Sequence, residues 1–306
     1  MNISKKVLMS LLMALTSLIA MAQPYYHIMK AVDGKLIEDT VYNGMNYNIK
    51  IDMNEPKPED AIGNKITVPC SKRSFWFTKK GNVYYNNSEG KFHFEESQLD
   101  YPKGTLNMNH CGHFIFGGTI RNIVDKNYRF SDYSGKWDDL TEEYFYFNNP
   151  KNLPKLQEDL GNEKWTVLTY CEWEYVCRYF GEIWKIDEKP CYLIDTTSGK
   201  SLLRAIESKN GGKIISKEDI ESYEDEGLVY LPASGDIGPY NGNSIRDQGS
   251  LGYYWSCSPV EDIFVQNYWY RNYACVMNFG DWISGGLTSC IRTNRSAVRL
   301  VILADD

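Results

Sequence analysis

Long apolar runs are almost absent from this sequence. The one extended run lies at the N-terminus, from Val7 to Ile19, and is shorter than the about 20 apolar residues that a membrane-spanning helix needs. No later segment is apolar for long enough to cross a bilayer. We therefore expect the chain after this run to be soluble or peripherally held, with no membrane span.

The N-terminal run has the flanks of a cleavable export signal. Lys5 and Lys6 precede it, and Ala20-Met21-Ala22 matches the small residues of a signal-peptidase site. Residue 23 is not a cysteine, which excludes a lipid anchor there. The pattern predicts a signal peptide at residues 1–22 and a location in the periplasm, at the cell surface or outside the cell.

Positive charge is scarce as well. After removal of the signal peptide the chain has 31 Lys and Arg residues against 40 Asp and Glu, a net charge of −9. This balance opposes binding to phosphate backbones and anionic lipids. We therefore expect neither nucleic acid nor an anionic membrane as the main partner.

The eight cysteines have no regular spacing, so they define no disulfide framework. Cys171 and Cys177 are six residues apart on a predicted helix, about 9 Å along its axis, which disfavours a bridge between them. If any disulfide exists, the pattern favours one among Cys257, Cys275 and Cys290, which lie on consecutive predicted strands.

Aromatic residues, in contrast, are abundant, with 23 Tyr, 12 Phe and 8 Trp. Tyrosine and tryptophan can pack on one side and stay hydrated on the other, and aromatic residues favour strands. The composition therefore predicts a sheet-rich protein with a contact surface.

Residues 23–73 form a small strand-rich segment. Its alternating stretches, TVYNGMNYNIKI and NKITVPC, are separated by a charged, proline-containing linker, and Asn43-Gly44 is a hairpin turn signal. This segment is either a separate subdomain or an edge added to the main fold.

From Ser74 onwards, short strands alternate with loops. The alternation of apolar and polar residues around Gly81 and Gly90 predicts two successive hairpins. A further hairpin is predicted in CYLIDTTSGKSLLRAIE, turning at Ser198 and Gly199, and the terminal SAVRLVIL is predicted to be a buried strand.

Three short helices are predicted among the strands. The clearest lies in LTYCEWEYVCRYFGE, where Thr169 and Glu172 predict a capping box. Apolar residues from Trp173 onwards recur on one face, and Gly181 marks the end. NLPKLQEDLG and SKEDIESYEDEG, the latter capped by Ser216, are the other two.

Four segments, in this order, resemble a known family: KWTVLTYCEWEYV, VYLPASG, GYYWSCSP and RSAVRLVI. They are similar to the motifs of the Fibrobacter succinogenes major paralogous domain, a family of exported Bacteroidetes and Fibrobacter proteins. The resemblance covers residues 74–303 and implies a C-type-lectin-like fold related to formylglycine-generating enzymes. The chain departs from the usual motifs at Thr166, Ser234, Asp236 and Cys257.

These observations together predict an α+β protein with mostly antiparallel short strands, a few short helices and long loops. The predicted organisation is a signal peptide at 1–22, the strand-rich segment at 23–73 and one C-type-lectin-like module at 74–306.

Several motif residues could be interpreted as a binding site, but a role in the framework is favoured. Large rings usually fill a core, and an arginine beside a terminal strand usually pairs inside the fold. We therefore predict structural roles for Trp165, Thr169, Glu172, Trp173, Trp255 and Arg299.

The candidate ligand-binding residues lie in polar, aromatic segments before the last strand. Flat aromatic faces combined with amide and guanidinium donors suit contacts with sugars or proteins. In retroelement-diversified lectin-like proteins, which the family resembles, the corresponding region contacts the ligand. The alternative is that every second residue of such a strand is core. The candidates are Tyr240, Asn243, Arg246, Asn267, Tyr268, Trp269, Tyr270, Arg271, Asn272 and Trp282.

No metal and no cofactor is predicted. The HCGH run, His110 to His113, would need two further ligands from elsewhere to bind zinc, so a structural turn is favoured. A lectin calcium site would need a Glu-Pro-Asn or Gln-Pro-Asp type of loop, and neither occurs; the acidic EPKPED lies outside the lectin-like module.

The sequence favours a binding protein for a glycan or a surface protein. A sulfatase-modifying type of thiol enzyme is one alternative, suggested by Cys257, Cys275 and Cys290. However, AVRLVI lacks the cysteine expected in that strand, and no histidine follows His113 to lower the pKa of a thiol. A structural surface or fimbria-associated component is the other alternative.

Overall fold

The computed structural model describes residues 25–32, 35–43, 57–102, 110–116, 146–148, 152–161, 164–197, 199–238, 244–259, 273–292 and 294–304. It is an α+β protein built mostly from short antiparallel strands with few helices. No helix in these ranges is long and apolar enough to cross a membrane. The chain divides into two compact units, Met1–Ile49 with Pro69–Lys72 and Lys50–Val68 with Arg73–Asp306.

The smaller unit contains a hairpin. Strand β1 (Tyr25–Val32) pairs antiparallel with β2 (Lys35–Asn43), and Val32 lies opposite Lys35. Asp33-Gly34, which separates the strands in the sequence, is a dipeptide typical of two-residue hairpin connections. The turn predicted at Asn43-Gly44 falls at the end of β2, and Gly44 lies outside the described residues.

A four-stranded antiparallel sheet brings together the first and last strands of the larger unit. Its order is β3 (Ala61–Val68), β4 (Arg73–Thr78), β14 (Leu300–Leu303) and β7 (Trp165–Val167). The terminal β14 is therefore a central strand, and its first three residues are buried, which confirms the prediction for SAVRLVIL.

Strand β3 belongs to the larger unit because it pairs with β4 in this sheet. The sequence predicts a boundary after residue 73, but β3 pairs with β4 at both of its ends, with an irregularity between Ile62 and Ile66, and Ala61 and Ile62 are fully buried. Strand β3 is therefore an edge of the main sheet. Strands β1 and β2 belong to the smaller unit.

Strands β5 (Val83–Asn86) and β6 (Lys91–Phe94) form the hairpin predicted around Gly90. The hairpin predicted around Gly81 is wrong, because β4 and β5 do not pair. Both edges of β4 are already occupied, by β3 and β14, so the chain leaves that sheet at this point.

Helices α1 (Leu153–Leu160) and α2 (Tyr170–Tyr179) lie where the sequence predicted them, after a 3-10 turn at Tyr146–Asn148. The capping box of α2 is confirmed. The Glu172 amide donates to Thr169 Oγ1 at 3.3 Å, and the Thr169 amide donates to Glu172 Oε2 at 2.8 Å. The helix ends before Gly181, which begins the next strand instead of capping the helix.

A second sheet has the order β10 (Leu228–Pro232), β9 (Lys189–Asp195) and β8 (Gly181–Ile186), all antiparallel. Two helices connect β9 to β10 along the chain, α3 (Ser201–Asn210) and α4 (Lys217–Glu224). Helix α4 is capped by the Ser216 side chain, which confirms the prediction for that segment.

The hairpin predicted to turn at Ser198 and Gly199 is wrong, because the chain enters α3. The buried carboxylate of Asp195 accepts hydrogen bonds from the amides of Leu202 at 2.7 Å and Leu203 at 3.4 Å. These bonds satisfy two amides of the first turn. Leu202 and Leu203 also bury the apolar face of the helix in the core around β8 to β10.

A third sheet has the order β11 (Leu251–Pro259), β12 (Tyr273–Gly280) and β13 (Ile283–Ile291). These strands carry Cys257, Cys275 and Cys290, as predicted, but none of the eight cysteines, all of which lie in the described ranges, forms a disulfide. The register disfavours one of the possible pairings: Cys290 lies opposite Ala274, so Cys275 and Cys290 project from opposite faces of the sheet.

Candidate functional site

Two polar, aromatic segments of the sequence are attached to the β11–β12–β13 sheet. Residues 260–272 lie between β11 and β12, and the adjoining residues Pro259 and Ala274 are paired. Cys290 of β13 lies opposite Ala274. We call this end of the sheet, with the residues attached to it below, the loop end.

The second segment, residues 239–243, begins and ends at a clamp formed by Asp236 and Arg246. Their backbones exchange two hydrogen bonds, of 3.1 and 2.7 Å. Their side chains form a bidentate pair, in which Arg246 Nε lies 3.0 Å from Asp236 Oδ1 and Arg246 Nη2 lies 2.5 Å from Asp236 Oδ2. A bidentate arginine–carboxylate pair fixes orientation as well as distance.

Asn294 connects the two loop attachments. Its side-chain amide lies 3.2 Å from Asp236 Oδ2 and 2.8 Å from the sulfur of Cys290. Since Cys290 is opposite Ala274, which in turn is opposite Pro259, a short series of contacts runs from the clamp to β11. The clamp also lies beside the start of β11, because Gly235 bridges Gly252, so Asn294 is the link between the two attachments.

Charged groups at the loop end are mostly buried. Asp236 is buried, and desolvation raises its pKa even though Arg246 opposes this shift. Arg292, also buried, donates from Nε to the Tyr273 carbonyl at 3.1 Å and lies over the Phe116 ring at 5.0 Å. These contacts hold the attachment points on a rigid base.

Most candidate ligand-binding residues fall outside the described residues. Arg246 is described: its side chain is 43 % exposed, and two of its nitrogens are engaged by Asp236. The candidates outside the described residues are Tyr240, Asn243, Asn267, Tyr268, Trp269, Tyr270, Arg271 and Asn272.

Trp282 lies at the other end of the same sheet. It is 89 % exposed, in the turn between β12 and β13. Strand β12 separates this turn from the loop end by seven residue steps, about 23 Å. The structure therefore separates Trp282 from the attachment of residues 260–272.

Of the six residues predicted to be structural, all except the half-buried Thr169 lie in the interior. Trp173 and Trp255 are fully buried, Trp165 is almost so, and the Trp255 indole donates to the Phe114 carbonyl at 2.6 Å. Glu172 is buried, and its carboxylate, which caps α2, also forms an ion pair with Arg73 at 3.3 Å.

Arg299 is the most unusual of these interior residues. It is fully buried, and its Nη2 donates to the Thr78 carbonyl at 2.8 Å and to Gln98 at 3.4 Å. Loss of hydration lowers the pKa of Arg299 to about 10. Its contacts join β14 to β4, which is a framework role.

The HCGH run does not converge on one point. His110 lies 2.6 Å from Glu95, whereas His113 contacts the Ser234 carbonyl at 3.0 Å, and the Cys111 thiol donates to the His113 carbonyl. In the described part of the chain no three His, Cys, Asp or Glu side chains are grouped to hold a metal ion.

Sequence reasoning missed two parts of the loop end. The pairing of Asp236 with Arg246 had a usable signal, namely opposite charges at the two ends of a Gly/Asn-rich segment. Asn294 had none, because its contacts come from the sheet topology. Comparisons with protein-family models, with curated protein sequences and with solved structures each found no match.

Proposed function

We propose that this is an exported, non-catalytic binding protein of a Bacteroidetes-like cell envelope. Its larger unit is a C-type-lectin-like module, which recognises a glycan or a surface protein through the aromatic and polar residues of segments 239–243 and 260–272. The observation that carries this proposal is the link between the attachments of the two segments, which runs through Arg246, Asp236 and Asn294 to Cys290.

The form of the loop end supports binding. Ligand sites commonly combine variable loops with a rigid scaffold, because the scaffold limits the entropy lost when the loops engage a partner. The clamp and the buried Arg292 supply such a scaffold. The segments contribute four tyrosine or tryptophan residues, which dominate many recognition surfaces.

The state of the cysteines supports a non-catalytic function. A thiol enzyme needs a cysteine whose pKa is lowered by a neighbouring cation or histidine. Here desolvation raises the pKa of Cys257 to about 12 and that of Cys290 to about 11. Glu172 near Cys257 and Asp236 near Cys290 add to these shifts, since a nearby carboxylate disfavours a thiolate.

The test uses the secreted chain from Gln23 onwards, screened on a glycan array and, in parallel, against extracted surface proteins. We expect one of the two screens to give a specific ligand. Trp269→Ala should weaken its binding at least about tenfold, since buried aromatic anchors account for much of the energy of an interface.

Trp282→Ala is the matched control, because it removes the same ring at the other end of the sheet. A surface protein or a short oligosaccharide that contacts only the loop end should bind this variant as it binds the wild type. The proposal is overturned if neither screen yields a ligand, or if Trp269→Ala binds with unchanged affinity.

A further inference from the structure

Among the described residues, two large apolar side chains are strongly exposed: Trp282, at 89 %, and Ile214, at 60 %. An ion pair links the segments that carry them. Ile214 forms a bridge with Lys185 of β8, and the Lys185 ammonium lies 3.0 Å from the carboxylate of Asp281. Asp281 directly precedes Trp282, so each apolar residue adjoins one member of the Lys185–Asp281 ion pair. We call these four residues the turn patch.

The turn that carries Trp282 is held firmly against the second sheet. Phe279, just before the turn, lies 5.5 Å from the Tyr192 ring. Gly285, just after it, has a φ of +71°, and a Cβ there would lie 3.0 Å from Tyr192 and 3.2 Å from Ile183. Because both sides of the turn are packed, the exposed indole is displayed on a rigid base.

The apolar area of the turn patch limits the size of the ligand that it can bind. Two exposed side chains offer roughly 300 Å² of apolar surface, whereas a stable protein interface needs about 800 Å² from each partner. The turn patch by itself is therefore too small to hold a protein partner. A single sugar ring has the matching size, since one indole covers one pyranose face.

The chemistry of the turn patch also matches a sugar. An indole face carries partial negative charge and attracts the C–H groups on the apolar face of a pyranose. The ammonium of Lys185 donates hydrogen bonds, and the carboxylate of Asp281 accepts them. Sugar hydroxyls need both kinds of partner at the edge of the ring.

We infer that the turn patch is a second binding site, distinct from the loop end, which takes one pyranose ring of a neutral glycan. The ring lies against the Trp282 indole beside Ile214, and its hydroxyls bond to Lys185 and Asp281. The site stands about 23 Å from the loop end along β12, so the two sites can engage separate parts of a polysaccharide.

The test is fluorine NMR on the full secreted chain labelled with 5-fluorotryptophan. The chain has eight tryptophans, and the Trp282 signal is assigned as the one missing from Trp282→Phe. The probes are the methyl glycosides of glucose, galactose, mannose and N-acetylglucosamine. At least one should shift the Trp282 signal, with a Kd on the order of 1 mM, as expected for a ligand of about a dozen heavy atoms.

Two variants separate this site from the loop end and from nonspecific stacking. Asp281→Asn should weaken the binding about tenfold, because it removes a charge-assisted hydrogen bond. Trp269→Ala should leave the Trp282 shift unchanged, even if the ligand of the loop end is lost. The inference is overturned if no probe moves the Trp282 signal, or if Asp281→Asn binds as tightly as the wild type.

Discussion

The burial of His113 makes the stability of the core depend on pH. It is 1 % exposed, and its Nε2 donates to the Ser234 carbonyl at 3.0 Å. Burial lowers the pKa of His113 from 6.5 to about 4, and the nearby Arg295 adds to the shift. The folded protein therefore keeps this imidazole neutral under mildly acidic conditions.

The first prediction concerns stability between pH 6.5 and 4. As the pH falls through 6.5, the unfolded chain takes up a proton on His113, whereas the folded chain does so only near 4. The unfolded state then binds more protons, so the free energy of unfolding falls, by about 3 kcal/mol over this window. Urea unfolding at several pH values measures the fall.

The control for this prediction is His113→Gln, whose amide can donate to the same carbonyl but does not titrate. The wild type should lose about 3 kcal/mol more than the variant over the window. Parallel curves for the two proteins would show that His113 contributes nothing to the pH dependence.

For single residues, the sequence predicts a hydrogen bond correctly when its two partners are close along the chain. Thr169 and Glu172 are three residues apart, so the capping box was predicted from the sequence and is present. The partners His113 and Ser234 are 121 residues apart. Such contacts depend on how strands pair, which residue types alone do not specify.

At the scale of elements, the turn between β12 and β13 depends on one glycine. Gly285 has a left-handed φ of +71°, with Tyr192 and Ile183 within 3.2 Å of any added Cβ. Gly285→Ala therefore meets both backbone strain and a steric clash, and should lower the free energy of unfolding by about 1–3 kcal/mol. Thermal or urea unfolding measures this loss.

The adjacent glycine provides a matched control. A Cβ on Gly286 would meet nothing within 4 Å, so Gly286→Ala should change stability by no more than about 0.5 kcal/mol. Equal losses for the two variants would mean that β13 is intolerant of side chains in general, and that packing at Gly285 is not the cause.

The helices and strands differ in how well the sequence predicts them. Helices α1, α2 and α4 have local start and stop signals, and all three were predicted. Helix α3 was missed, because its first amides bond to Asp195 on the preceding strand while Ser198-Gly199 suggested a tight turn. Similarly, β4 pairs with distant β14 rather than adjacent β5, a choice that local alternation does not determine.

At the scale of the whole molecule, the arrangement of the candidate site also depends on strand connections that the local sequence does not determine. The sequence identified the aromatic segments and assigned Trp282 and Arg246 to one surface. The antiparallel course of β12 carries the chain away from Pro259 and Ala274, so Trp282 lies at the opposite end of the sheet from the attachment of residues 260–272. The residue types of a site were predictable, but the strand connections that separate its members were not.

The boundary of the larger unit also depends on strand pairing. Strand β3 covers β4 with four buried apolar residues, and Gly63 packs against Gly227 near β10. The Asn64 amide donates to the Thr197 carbonyl at 3.1 Å. The four buried residues are Ala61, Ile62, Ile66 and Val68.

The last prediction is that a chain beginning at Lys50 folds, whereas a chain beginning at Ser74 does not. Loss of β3 exposes Phe75 and Phe77 on β4 and removes burial worth about 1.5–3 kcal/mol for each large aliphatic residue. The sum approaches the whole stability of a typical domain, about 5–15 kcal/mol. Near-ultraviolet circular dichroism and urea unfolding should show a cooperative transition only for the chain that keeps β3. If both chains unfold at the same urea concentration, β3 is dispensable and the boundary lies at residue 73 after all.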